Sequence, residues 1–243
     1  MNDQDLLEAA RVFKSDFPVY AKNVLKVINK EGEQVSFRLN DGQKMVHRQL
    51  EQQMREQGKI RALILKARQV GISTYVEGRF FWKITQTRNA NAFVLSHLAE
   101  STNAIFNMVR SFYEGVPHPA FKPKLNSQSA ATLVFDEINS RYRVGTARST
   151  QTGRGQTNRF VHGSEVAFYP QGEDIVAGLL QTVGGQGSEV ILESTANGAG
   201  RWFYDQVMKS LRGETDWITC FVPWLAMNEY RSPVRPYFER TKD

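Results

Sequence analysis

The chain has 243 residues, 41% hydrophobic and 23% charged, which is the composition of a globular domain large enough to bury a core without staples. Its one cysteine, Cys220, excludes an internal disulfide framework and a cysteine-based zinc site, and no apolar run approaches the roughly 18 residues that span a bilayer. Lys and Arg outnumber Asp and Glu by 31 to 25, a net charge of +6, which favours a polyanionic partner without naming one.

Near the start, Leu6, Leu7, Ala10 and Phe13 recur at close to helical spacing and predict a short amphipathic helix over 3–14. From Val24 to Leu39, two apolar runs flank Asn29-Lys30-Glu31-Gly32, the pattern of a β-hairpin. Residues 43–57 are rich in Gln, Arg, Glu and Met and read as a polar helix. Short apolar strands follow at 62–65, 92–95, 159–162, 189–192 and 217–222. They alternate with helices near 73–85, 100–113, 173–183 and 202–211, with a two-strand excursion at 132–135 and 142–144. Such alternation predicts a parallel sheet covered on both faces. The segment from Ser232-Pro233 to the charged end reads as the start of a linker.

The most informative segment runs from Leu63 through Lys66, Arg68 and Gly71 to Ser73 and Thr74, a strand passing through a tight turn into a helix. That is the layout of a phosphate-binding loop, in which backbone N–H groups and a helix N-terminus hold phosphate. The expected Gly-Lys-Ser ending reads Gly71-Ile72-Ser73. Lys66 and Arg68 are the cations left to face phosphate, and Ser73 keeps the hydroxyl that would ligate Mg2+. An ordinary strand–turn–helix crossover with basic surface residues would read the same way.

About a hundred residues on, Phe160-Val161-His162-Gly163-Ser164-Glu165 is an apolar strand ending in an acid. In a phosphate-loop ATPase such a glutamate polarises the attacking water, and the residue before it, here Ser164, helps hold the metal. A third strand ends in Ser194-Thr195-Ala196-Asn197-Gly198, small polar groups suited to sensing a γ-phosphate, or to making a simple turn. Arg154, between Gly153 and Gly155, is a candidate arginine finger for a neighbouring subunit's site. Lys122, Lys124, Arg141, Arg143 and Arg148 are candidate DNA-backbone contacts. The histidines (His47, His97, His118, His162) show no metal spacing, and Trp202-Phe203-Tyr204 reads as core.

Taken together, Lys-Ala-Arg-Gln-Val-Gly-Ile-Ser-Thr at 66–74, His-Gly-Ser-Glu at 162–165 and Ser-Thr-Ala-Asn-Gly at 194–198 resemble the ATPase domain of tailed-phage terminase large subunits, over about Phe37 to Trp224. The resemblance implies an α/β fold, a P-loop NTPase of the ASCE type: a three-layer sandwich with a mostly parallel central sheet. It implies an N-terminal subregion at 1–42, an ATPase domain at 43–230 and a linker from 231 toward a nuclease domain that the chain lacks, so that no DNA cleavage is expected. ATP would lie on Lys66, Ala67, Arg68, Gln69, Val70, Gly71, Ile72, Ser73 and Thr74, with Mg2+ on Ser73 and Ser164. Glu165 would be the catalytic glutamate, with Arg154 and Arg68 assisting. Ser194, Thr195, Ala196 and Asn197 would couple hydrolysis to movement, and Gln43, or Gln49 as second choice, would contact adenine.

The partners implied are double-stranded DNA, further copies of the chain in a ring, a portal protein and a small terminase subunit, in the cytoplasm of an infected bacterium and with no membrane. Ile72 and Ser164 depart from the family pattern of lysine and aspartate, removing charge near phosphate and metal. A helicase-like nucleic-acid ATPase, or a nucleotide- or DNA-binding module that has lost hydrolysis, remains open at this point.

Overall fold

The computed structural model describes residues 3–29, 31–147, 156–227 and 230; Arg148, Arg154 and the expected linker at 231–243 lie outside the described residues. Helices α1 (Asp3–Ser15) and α2 (Phe17–Val24) open the chain. Asp16 divides them: its carboxylate accepts the Val19 amide at 2.9 Å, and Pro18 occupies the first turn, where no N–H is needed. Helix α2 is not predicted by the sequence pattern, and Val24, expected to open the hairpin, is instead the buried last residue of that helix. Phe17, Tyr20, Ala21 and Val24 repeat at helical spacing and bury one face, and this outcompetes the apolar run that continues into the hairpin. The hairpin is confined to β1 (Lys26–Ile28) and β2 (Gln34–Ser36). Helix α3 (Asp41–Gln57) starts where Asn40 accepts the Gln43 amide at 2.8 Å while the Gln43 side chain accepts the Asn40 amide at 3.0 Å, a reciprocal cap.

The remaining elements are β3 (Ile60–Lys66), α4 (Ile72–Gln86), β4 (Asn91–Ser96), α5 (Ala99–Glu114), β5 (Ser127–Gln128), β6 (Thr132–Phe135), β7 (Ser140–Thr146), β8 (Phe160–Ser164), α6 (Gly172–Leu180), β9 (Glu189–Ser194), α7 (Trp202–Leu211) and β10 (Ile218–Val222). One eight-stranded sheet runs in the order β10-β3-β9-β8-β4-β7-β6-β5. Neighbours from β10 to β7 are parallel, and β6 and β5 add an antiparallel edge. Strand β9, late in the chain, is inserted between β3 and β8, so the carboxyl ends of these three lie side by side. In open parallel sheets that edge is where ligands bind.

Alternation along the strands divides the side chains between two cores. Ala62, Ile64, Val94, Phe160 and Ile191 face α2 to α5, while Leu63, Phe93, Val161, Val190 and Leu192 face α6 and α7. The outcome is the three-layer sandwich that the sequence predicts. Phe17, Tyr20, Leu25 and Phe37 of the N-terminal region share the first of these cores with α4 and α5. Helix α4 also buries a guanidinium. Arg79 binds Glu189 through Nε at 2.7 Å and Nη2 at 3.0 Å, and Glu51 through Nη1 at 2.7 Å, which ties α3, α4 and the start of β9 together.

Candidate active site

Lys66 closes β3, and the chain turns through Gln69 and Gly71, both left-handed at φ 58° and 72°, before α4 begins. A Cβ at Gly71 would stand 2.8 Å from Gln43 Nε2, so the turn needs glycine on both conformational and steric grounds. Two side chains at the head of α3 grip this loop from behind: Gln43 Nε2 donates to Gly71 O at 2.7 Å and Asn40 Nδ2 to Val70 O at 3.2 Å. The first N–H groups of α4 have no intrahelical acceptors and no side-chain cap, an arrangement suited to phosphate.

Period-two alternation sends Lys66 of β3, Glu193 of β9 and Ser164 and His162 of β8 to the same face, beneath the first turns of α4. Ser73 and Glu77, four apart on α4, face down to meet them. Lys66 Nζ lies 2.8 Å from Glu165 Oε1 and 3.1 Å from Glu193 Oε2. Glu193 Oε1 accepts from Ser73 Oγ at 2.7 Å and from Ser164 Oγ at 2.8 Å. Behind it, His162 Nε2 is 3.6 Å from Glu193 Oε1, and Nδ1 is 2.7 Å from Glu77 Oε1, which also receives the Tyr142 hydroxyl through its other oxygen.

These contacts set the charges. Burial alone would lower the His162 imidazole, but the carboxylates of Glu77 and Glu193 outweigh it and raise the group to about 9. Burial works against ionising Glu193, yet His162, Lys66 and Ser73 hold its carboxyl down at about 2. Lys66 is likewise held above its ordinary value despite burial, by Glu193 and Glu165.

Glu165 follows β8 with φ 57° and ψ 43°, a left-handed conformation that costs a non-glycine residue on the order of 1–3 kcal/mol. Its Oε2 is received by the end of β9: Ser194 Oγ at 3.3 Å, Thr195 N at 3.3 Å and Thr195 Oγ1 at 3.4 Å. Asn197 Nδ2 donates to Ala167 O at 3.0 Å, fastening the turn after Glu165 to the same strand end. Lys66, Arg68, Gln69, His97, Glu165 and Thr195 line a cleft of about 370 Å3.

The structure therefore brings together Lys66, Ser73, Ser164, Glu165, Ser194 and Thr195, with exposed Arg68 at the mouth, half-buried Ala67 and Thr74 and buried Val70 in the loop, and Ala196 exposed beside Asn197. Ile72 is 1% exposed and packs in the apolar core, away from the cleft. Gln43, expected at adenine, is 4% exposed, and both ends of its amide are bonded within the protein; Gln49 is half-buried on α3. Arg141 and Arg143 lie elsewhere, in a hollow shared with Asn91, Thr132, Val134 and Asn158. A larger cavity of about 520 Å3 near Arg141 and Arg159 is lined by no carboxylate among the described residues, so size does not mark the chemical site. Sequence reasoning gave no role to Glu193, Glu77 or His97. The available signal for Glu193 was an acid inside an otherwise apolar strand.

The donor set itself tests whether a divalent cation fits. Ser73 Oγ, Ser164 Oγ and the Glu193 carboxylate are hard oxygen donors, which Mg2+ takes. Among the described residues no group of three His, Cys, Asp or Glu could hold a metal alone. Mg2+ keeps waters and phosphate oxygens beside one or two carboxylates, and Glu193 with the hydroxyls of Ser73 and Ser164 offers such a set.

No protein-family model matches the chain, and no curated protein matches it in sequence. Solved structures do. The HK97 bacteriophage large terminase matches with a TM-score of 0.71 over 92% of this chain and 49% of its own, at 14% identity. A mutant ATPase domain of the Thermus phage P74-26 large terminase gives 0.57 over 74% and 79%, at 17% identity. The large terminase of a thermophilic bacteriophage, in complex with ATP-gamma-S, gives 0.58 over 79% and 47%, at 11% identity. The chain spans about half the length of the first and third of these. The likeness is one of fold: this chain has the architecture of the ATPase domain of phage large terminases.

Proposed function

We propose that the chain is an ATP-hydrolysing motor domain that drives double-stranded DNA into a phage procapsid, as the large-terminase architecture and the motifs at 66–74, 162–165 and 194–198 suggest. The observation that carries this reading is Glu165: a strained carboxylate at a strand end, facing the phosphate loop and cradled by the strand expected to couple hydrolysis to movement. Mg2+, when bound, supplies charge neutralisation to the transferring phosphoryl group.

The protein's own groups do the rest. The loop and the N-terminus of α4 hold phosphate, with Lys66 and Arg68 offsetting its charge. Glu165 takes the proton of the attacking water on its carboxylate. Ser194, Thr195 and Asn197 tie the position of that carboxylate to β9, so a change at Glu165 is transmitted into the sheet. Gln43 steadies the loop from behind, and an adenine contact would require its amide to give up one of its two bonds. Arg154 of a neighbouring copy completes the site in a ring, and Arg141 and Arg143 offer cations to DNA phosphates. A portal protein and a small terminase subunit are the assembly partners in this reading, in the host cytoplasm. Among the described residues no helix is long and apolar enough to cross a membrane.

The test is phosphate release from Mg-ATP across a wide range of protein concentrations, with Glu165→Ala in parallel. Specific activity that rises with concentration and disappears in the variant supports the reading. Activity untouched by the substitution removes Glu165 from the mechanism. Nucleotide binding without turnover, even with the chain assembled, favours the alternative of a binding module, to which buried Ile72 and the hydroxyl at Ser164 lend some support.

A further inference from the structure

We propose that Glu193 is the metal-ordering carboxylate of this site, supplied from β9 in place of an acid at position 164. The inference rests on the ATPase reading and adds a residue and a strand to it. Ser164 and Glu193 are direct cross-strand partners at the carboxyl ends of β8 and β9, on the face covered by α4. Ser164 ends in a hydroxyl and cannot carry charge. The carboxylate that reaches its place is that of Glu193, one strand closer to the phosphate loop.

Three contacts support the substitution. Glu193 Oε1 accepts from Ser73 Oγ at 2.7 Å, so the hydroxyl positioned to ligate a cation is already held by this carboxylate. The same oxygen accepts from Ser164 Oγ at 2.8 Å, which reduces position 164 to orienting the group that replaces it. Glu193 Oε2 faces the Lys66 ammonium at 3.1 Å. The Glu193 side chain is fully buried, and a buried carboxylate is costly unless paired. Its neighbours are all matched to a charged or hydrogen-bonding carboxylate: Lys66 and Ser73 on the cleft side, Ser164 beside it and His162 behind. Glu193 also directly precedes Ser194, whose hydroxyl reaches Glu165. One strand then carries both the cation's carboxylate and the cradle of the catalytic one.

The experiment measures the affinity of a fluorescent ADP analogue with Mg2+ and with EDTA, for wild type, Glu193→Gln and Glu193→Gln combined with Ser164→Asp. Wild type should bind more tightly with Mg2+. In Glu193→Gln that advantage should fall by about tenfold or more, while affinity in EDTA is retained or improved, since a negative charge near phosphate is lost. The double variant returns a carboxylate to β8 and should recover the Mg2+ advantage. An unchanged Mg2+ advantage in Glu193→Gln overturns the proposal. Should the single variant fail to fold, Glu193→Gln combined with Lys66→Met, which removes both members of the buried pair, decides: a lost Mg2+ advantage supports the proposal and a retained one overturns it. A wild type that binds the analogue under neither condition defeats the ATPase reading itself, which separates the two failures.

Discussion

Lys66 and Glu165 are 99 residues apart in sequence and 2.8 Å apart in space, joined across the end of β9. The ammonium expected to face phosphate is thus engaged by the carboxylate expected to activate water. It cannot serve phosphate fully without loosening its hold on Glu165, so the arrival of phosphate and the release of the general base are linked through one side chain.

Lys66→Met should therefore weaken nucleotide binding and lower turnover together. It also leaves Glu193 buried with only His162 as a cation. Removing one partner of a buried pair costs about 3–5 kcal/mol, so a lower urea midpoint should accompany the kinetic loss. Lys66→Arg should rescue stability better than turnover, because a planar guanidinium does not reproduce a compact ammonium between two carboxylates. Equilibrium unfolding and phosphate release on the same preparations check both statements. Wild-type stability in Lys66→Met would show that the ion pairs contribute little.

Much of this arrangement could be read in the sequence, and the part that could not has a definable cause. Lys66, Ser73 and Glu165 each carry a local mark: a strand running into a glycine turn, or an acid closing an apolar run. Glu193 carries only an acid inside an apolar strand, which does not say what it does, because its meaning depends on lying beside Ser164, and that follows from the insertion of β9 between β3 and β8. His162 and Glu77 pair through the packing of α4 on β8, another long-range fact. Helix α2 was hidden because its apolar face runs on into β1 without a polar break. Gln43 stood out as a functional candidate, yet the contacts that engage its amide, Asn40 N and Gly71 O, include a loop 28 residues away.

The grip of α3 on the phosphate loop gives a second prediction. Asn40 caps its own helix and donates to Val70 O, so Asn40→Ala removes both at once. The cap alone is worth about 0.5–2 kcal/mol. Gln43→Ala removes the bond to Gly71 O and leaves that loop carbonyl without this donor. Both variants should lower thermal stability modestly and weaken nucleotide affinity more than their distance from the cleft suggests. Binding of a fluorescent nucleotide, measured beside a thermal melt, separates loop positioning from plain destabilisation. Affinity unchanged in both variants would mean the loop holds its shape without α3.

Arg79 supplies a third. Its guanidinium is fully buried, bidentate on Glu189 and paired with Glu51, and the two carboxylates together hold it above its ordinary value against the effect of burial. Arg79→Met would leave Glu189 buried without its guanidinium, at a cost of about 3–5 kcal/mol. Combining Arg79→Met with Glu189→Gln should recover part of that loss, because a neutral amide is easier to bury than a carboxylate left with only the Lys83 ammonium at 3.7 Å. A double-mutant cycle by urea denaturation measures the coupling. Additive losses would show that the pair is not coupled.

His47 sets a pH dependence of determined sign. Burial, followed by the adjacent Arg79 guanidinium, lowers its imidazole from an ordinary 6.5 to about 4. Glu51, Asp16 and Glu189 pull the other way and do not win. The folded protein keeps His47 neutral, 3.0 Å from the Tyr75 hydroxyl, while the unfolded chain takes up a proton as pH falls below 6.5. Between those two values the unfolded state binds more protons, so folding stability falls as pH drops through that window and levels off below about 4. His162, held at about 9, has the opposite relation: its contribution is full below 6.5 and is lost as pH rises through 9. Below about 6.5 the His162 contribution is complete, so the slope there belongs to His47. Urea midpoints taken from about pH 6.5 down to about pH 5, above the range where ordinary carboxylates titrate, should decline in the wild type. They should stay flatter in His47→Gln, which retains a hydrogen-bonding group toward Tyr75. Parallel declines in the two proteins would assign the acid sensitivity elsewhere.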